Sequence, residues 1–108
     1  MPYYLIQASY KESAAKALVT KPQERSAVVK KMVESLGGKL HSFFLSFGEY
    51  DVAVIAELPG NEAAVAMGLT SVSGGALSKY HTTVLLSPTE ATGAMKKAKK
   101  AAYTPPKK

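Results

Sequence analysis

The stretch of residues 39–58 constrains the fold more than any other part of this sequence. β-Branched and aromatic residues lie on both sides of Gly48-Glu49, and a glycine-first pair at such a position is typical of a two-residue hairpin turn. That turn would pair Phe47 with Tyr50 and would set the register of both strands. The sequence therefore predicts an antiparallel strand pair in the middle of the chain.

Side chains alternate along this hairpin and define two faces. We expect one face to lie in the core, and it holds His41, Phe43, Leu45, Phe47, Tyr50, Val52, Val54 and Ala56. The other face holds Leu40, Ser42, Phe44, Ser46, Asp51, Ala53, Ile55 and Glu57. Large apolar side chains lie among the polar ones on this second face. We therefore do not expect the face to be covered by water alone.

A strand and a helix are expected before the hairpin. Residues 3–10 are rich in aromatic and apolar side chains, which predicts a strand, and the Ala-rich stretch after them predicts a brief helical turn. Thr20 and Gln23 suit the capping box of a helix with Pro22 in its first turn, and Gly37 suits its end. The apolar residues between these signals form one stripe: Val28, Val29, Met32, Val33 and Leu36.

A second helix, a last strand and a C-terminal helix are expected after the hairpin. Asn61 is the expected N-cap of the second helix, which would stop at Gly74-Gly75. Residues 77–87 then predict a strand. A second capping box at residues 87–90 predicts a helix from about residue 88 toward residue 101.

The order βαββαβ predicts an α+β, ferredoxin-like sandwich with a four-stranded antiparallel sheet and both main helices on one face. We expect this domain at residues 1–87, followed at residues 88–108 by the C-terminal helix and a basic Lys/Ala/Pro tail. The other sheet face would be uncovered in a monomer. Because Phe44 and Ile55 lie there, we expect a homodimer or a larger symmetric oligomer.

The hairpin sequence Gly48-Glu49-Tyr50-Asp51, set between two strands, resembles the GYD domain family. The resemblance covers most of residues 2–87. Three further segments support the resemblance: the helix start at residues 22–25, the link into the next strand at residues 36–40 and the strand end at residues 82–85. The resemblance implies a ferredoxin-like fold of the dimeric α/β-barrel type and no established activity.

Composition excludes several kinds of chemistry. The chain has no cysteine, which excludes disulfides, thiolate metal sites, iron–sulfur clusters and a cysteine nucleophile. The net charge of +6 comes mainly from residues 88–108, which hold six basic side chains against one acidic, whereas residues 1–87 hold eight against seven. The N-terminus lacks the features of a secretory signal, so we expect a cytoplasmic protein with no membrane partner.

Six residues of the predicted strands and hairpin turn are candidates for ligand binding. Asp51 could ionise against a ligand hydroxyl or amine, although a turn aspartate more often bonds backbone N–H groups. Tyr50 could donate to a ligand, although its ring more often lies in the core. The full set is Tyr50, Asp51, Ser46, Phe44, His41 and His81.

Neither a metal nor a cofactor is expected. His41 and His81 are the only histidines, and two imidazoles without a third ligand at fixed spacing make a poor transition-metal site. The sequence has no nucleophile elbow, P-loop or dinucleotide-binding fingerprint. We therefore assign no catalytic residue and lean against an enzyme.

The predicted C-terminal helix carries a basic cluster: Lys96, Lys97, Lys99 and Lys100. Positive charge near a helix C-terminus is favourable, and the cluster could also bind phosphates without sequence preference. A nucleic acid or another acidic partner would have to bind through this tail. A solvated, partly disordered tail is the simpler explanation.

Three functions fit these features. The first, which we favour, is an oligomeric small-molecule-binding or regulatory module of unknown specificity. The second is a cofactor-free enzyme of the small-barrel type that uses Tyr50, Asp51 or a histidine as acid or base. The third is an adaptor that binds acidic partners through the Lys-rich tail.

Overall fold

The computed structural model describes residues 1–107 of the chain. In chain order its elements are β1 Tyr3–Tyr10, α1 Glu12–Thr20, α2 Ser26–Ser35, β2 Lys39–Leu45, β3 Val52–Glu57, α3 Asn61–Ser73, β4 Leu77–Leu85 and α4 Pro88–Lys100. Within the described residues, the strands form one four-stranded antiparallel sheet in the order β2-β3-β1-β4. The predicted α+β, ferredoxin-like fold is confirmed.

The core lies between one face of the sheet and helices α2 and α3. Burial alternates along β3 and along most of β1, so one side of each strand faces the helices. Val33 of α2 and Met67 of α3 cover this side and are 0% and 2% exposed. Burial of each such side chain contributes about 1.5–3 kcal/mol relative to exposure. The buried cluster comprises Tyr4, Ile6, Val33, Val52, Val54, Ala56, Leu58, Ala64 and Met67.

The strands of the hairpin pair in the register that a two-residue turn at Gly48-Glu49 requires. Leu45 pairs with Val52, and Ser42 pairs with Ile55. The backbone N–H of the residue after Leu45 also reaches across, because Ser46 donates to the Asp51 carbonyl oxygen at 2.8 Å. The predicted register is therefore confirmed from Ser42 to Ser46, and the predicted pair of Phe47 and Tyr50 lies beyond the ends of the two strands.

Four residues predicted for the core face lie elsewhere. The register shifts between Leu40 and Ser42, and this bulge turns Leu40 toward the core and places His41 on the opposite face. Phe47 and Leu45 are 98% and 73% exposed, because neither α2 nor α3 buries the outer end of the hairpin. The assignment of His41, Leu45 and Phe47 to the core was wrong, as was that of Tyr50, which lies beside His81.

The segment after β1 forms a longer helix than expected. Instead of a brief turn, α1 extends over nine residues. Thr20 ends this helix and donates its hydroxyl to the Lys16 carbonyl oxygen at 2.9 Å. The capping box predicted at Thr20 and Gln23 is therefore wrong, Pro22 lies in a loop, and α2 begins only after Arg25.

The start of α3 also differs from the prediction. Gly60 occupies the N-cap position that was expected for Asn61, and no side chain caps the helix. Asn61 Oδ1 instead accepts a hydrogen bond from the Tyr4 hydroxyl at 2.7 Å. Tyr4 is 1% exposed, so its hydroxyl requires a partner inside the protein, whereas an exposed helix end can bond to water.

Two glycines link α2 to β2. Gly37 has a φ of +81°, and the N–H groups of Gly37 and Gly38 donate to the carbonyl oxygens of Glu34 and Val33, as in a Schellman cap. A Cβ on Gly38 would collide with the Glu57 carbonyl oxygen of β3. The predicted helix end at Gly37 is confirmed, and close contact at Gly38 fixes α2 against the sheet.

Helix α4 extends beyond β4 and buries none of its side chains. Ser87 and Glu90 form the predicted capping box, in which each side chain accepts the other's backbone N–H at 3.0–3.1 Å. The hydrogen bond from Ser87 lowers the pKa of Glu90. Because α4 buries no side chain, it does not cover the sheet face opposite α2 and α3.

Gly38→Ala is expected to destabilise the protein by about 1–3 kcal/mol, because the added methyl must displace the Glu57 carbonyl and the Leu58 side chain. Gly93→Ala is the matched control, since a Cβ at Gly93 meets no atom within 4 Å. Urea unfolding followed by circular dichroism measures both variants. A free energy of unfolding for Gly38→Ala equal to that of the wild type would contradict this description of the link.

Candidate functional site

The sheet face opposite α2 and α3, here called the open face, carries side chains in rows set by the strand register. One row consists of Ser42, Ile55, Leu5 and Thr83, and the next consists of Phe44, Ala53, Gln7 and His81. Phe44 is 65% exposed. The two middle strands therefore carry Leu5, Ile55 and Ala53 together with polar Gln7, and Phe44 extends the apolar surface onto the edge strand β2.

Tyr3, His41 and Glu57 form a polar cluster on the open face. His41 Nε2 lies 2.7 Å from Glu57 Oε1, and the ring centroids of Tyr3 and His41 are 5.1 Å apart. The Tyr3 hydroxyl approaches the same carboxylate, and hydrogen bonding by Tyr3 and then His41 lowers the pKa of Glu57. The bulge beside His41 creates this cluster, and no sequence pattern indicated it.

Asp51 and Ser46 bond to backbone groups, Asp51 to those of strand β1 and Ser46 to one within the hairpin. Asp51 Oδ2 accepts the Tyr10 N–H at 2.9 Å, and the Asp51 N–H donates to the Ala8 carbonyl oxygen at 2.9 Å. Ser46 Oγ donates to the Tyr50 carbonyl oxygen at 2.7 Å. For Asp51, this geometry matches the backbone-bonding alternative considered from the sequence.

Tyr50 and His81 lie together, apart from His41. The ring centroids of Tyr50 and His81 are 6.2 Å apart, and Lys79 Nζ lies 5.8 Å from the Tyr50 centroid. Tyr50 was predicted for the core face, yet it lies beside these residues of β4. His41 and His81 occupy the two edge strands, so the structure does not bring them together. Within residues 1–107, no group of three or more His, Asp or Glu side chains is placed to hold a metal ion.

The basic cluster lies on the exposed surface of α4, and its members are Lys96, Lys97, Lys99 and Lys100. None of them lies within 4.0 Å of a carboxylate in the described part of the chain. An acidic partner for this cluster stays a prediction. Of the helices in residues 1–107, none has the length and apolar character that a bilayer crossing demands.

Sequence reasoning missed a cavity of about 320 Å³ between the sheet and helices α2 and α3. Its wall is mainly apolar and includes Ile6, Met32, Phe43, Val54, Met67 and Leu77. Half-buried Arg25 borders both this cavity and a surface groove beside Phe44 and Leu45. The sequence contained no signal for the cavity, because its existence depends on the spacing of two helices above the sheet.

Polar groups on the cavity wall are few. Tyr80 lines the cavity, but its Oη is buried with almost no accessible surface and does not face the open space, although it makes no hydrogen bond among the described residues. Burial raises the pKa of Tyr80, whereas the Ser71 and Thr82 side chains oppose this rise. Ser71 Oγ, on the same wall, donates to the Met67 carbonyl oxygen at 2.7 Å. Arg25 donates to Gln23 Oε1 at 3.0 Å and has no carboxylate within 4.0 Å in residues 1–107.

A family model described as the GYD domain matches residues 4–95. The chain belongs to the GYD domain family. The match includes the sheet apart from Tyr3, helices α1 to α3 and the first part of α4, so the family resemblance indicated by the hairpin sequence is confirmed. No protein with a curated description matches this GYD domain.

Two solved structures resemble this GYD domain in fold. A transcriptional regulator from Neisseria meningitidis, in complex with L-Met, has a TM-score of 0.55 and 17% identity, over 81% of this chain and 51% of that chain. The second, MtbAldR, has a TM-score of 0.52 and 10% identity, over 80% of this chain and 52% of that chain. At these identities the likeness shows the fold alone, and the GYD domain spans about half the length of either structure.

Glu57→Gln is expected to make unfolding less dependent on pH below about pH 5. The pKa of Glu57 is lowered from 4.5 in the folded protein, so its contribution to stability is present above that value and is lost as the pH falls through the folded pKa. Urea midpoints measured across this pH range give the slope of stability against pH. Glu34→Gln on exposed α2 is the control, and a Glu57→Gln slope identical to the wild type would refute the cluster.

Proposed function

We propose that this GYD domain is a small-molecule-binding module that assembles with copies of itself and binds its ligand between the sheet and the helices. The observation that carries the proposal is the cavity. Its volume of about 320 Å³ falls within the range of ligand pockets, and its mainly apolar wall with a few polar groups is typical of them.

The fold is compatible with a regulatory role. The structure of the similar transcriptional regulator was determined in complex with L-Met, so a protein that contains this fold binds a small molecule. In the GYD domain, we propose that ligand binding changes the assembly or a partner contact. This role requires a binding site in each subunit and a contact between subunits, and the cavity and the open face are the candidates.

A second copy of the chain is the proposed cover of the open face. Leu5 and Ile55 are cross-strand neighbours in its middle, and Phe44 is 65% exposed beside them. Packing of one open face on another in a symmetric dimer would remove these side chains from water. In this arrangement the sequence candidates on the open face, His41 and His81 included, are interface residues, and ligand binding by them stays a prediction.

Ile55→Lys is expected to convert a dimer or larger oligomer into monomers, because a charge would be buried in the middle of the interface. Val65→Lys is the matched control, since Val65 is 60% exposed on α3, which packs on the other face of the sheet. Sedimentation velocity at micromolar concentration measures the oligomeric state of each protein. A monomeric wild type, or an Ile55→Lys variant that stays assembled, would show that the open face is not the interface.

Ser71→Leu is expected to fill the cavity and abolish ligand retention. Ser73→Leu is the control on the same helix, because Ser71 and Ser73 each donate to a carbonyl of α3 but only Ser71 lines the cavity. Native mass spectrometry of proteins purified without denaturation measures retained molecules. Equal retention by Ser71→Leu and the wild type would place the ligand outside the cavity.

A further inference from the structure

We propose that the cavity binds a small carboxylate with an apolar body, with Arg25 holding the carboxylate. The inference rests on the proposed function and adds the chemical class of the ligand. It comes from the arginine at the border of the cavity and from the apolar wall beside it.

Arg25 supplies the positive charge. Arg25 is half-buried and borders the cavity, and its guanidinium donates to Gln23, a neutral partner. Asp51 Oδ2 accepts the Tyr10 N–H, and Asp51 lies beyond 4.0 Å from Arg25. A guanidinium that borders an apolar cavity without a carboxylate within 4.0 Å favours an anion, and its planar donors match the two oxygens of a carboxylate.

The remaining wall restricts the body of the ligand. Met32 and Met67 face the cavity from the two helices, and Ile6 and Val54 face it from the sheet. Ser71 already donates its hydroxyl proton within α3. A sugar or another polyhydroxyl compound would lose its hydrogen bonds to water without replacement, whereas an alkyl or aromatic body suits methionine and aliphatic contacts.

Octanoate and octanol test the role of Arg25, because they differ in charge and share an apolar chain. Calorimetric titration of the full chain is expected to give one octanoate per chain, bound at least about tenfold more tightly than octanol. Arg25→Gln should remove this difference and leave octanol binding unchanged. Lys21→Gln, on the exposed loop before α2, should keep it.

The outcomes separate the inference from the proposed function. Equal binding of octanoate and octanol to the wild type would overturn the carboxylate assignment and leave the cavity a ligand site. Absence of saturable binding by either probe would overturn both. An octanoate preference that survives in Ser71→Leu would place the anion in the groove beside Phe44. If Arg25→Gln does not fold, the salt dependence of octanoate binding to the wild type decides, because octanol binding should show none.

Discussion

Hydrogen bonding of the central strand β1 to both β3 and β4 is the interaction on which the rest of the structure depends. Its register sends Tyr4 and Ile6 toward the helices and Tyr3 and Leu5 toward the open face. A slip of one residue would exchange the two sets, which would put the Leu5 row in the core and the Tyr4 hydroxyl far from Asn61. The core, the open face and the floor of the cavity all follow from this pairing.

The cavity follows from small residues at one end of the same arrangement. Ala8 of β1 faces it from the sheet, and Gly74 and Ala76 line it after α3. None of these side chains is large enough to fill the space between α2 and α3. Gly38 holds the other end of α2 tightly against β3, so the two helices cannot simply close over the gap.

Signals that act locally could be predicted from the sequence, whereas features set by tertiary contacts could not. The hairpin register, the helix end at Gly37 and the capping box before α4 each depend on neighbouring residues, and all three are confirmed. Asn61 also carried a local cap signal, but the buried Tyr4 hydroxyl takes its side chain. The bulge beside His41 and the cavity beside Tyr80 arise only when distant elements pack. No local sequence pattern could therefore indicate them.

Methionine methyl NMR tests the central claim, that the cavity is the ligand site, most directly. The chain has four methionines: Met32 and Met67 line the cavity, whereas Met1 and Met95 are 60% and 67% exposed. When octanoate is added to the full chain, the account predicts that the Met32 and Met67 methyl signals shift together and saturate, while those of Met1 and Met95 stay unchanged. Unchanged Met32 and Met67 signals at concentrations where calorimetry detects binding would contradict it.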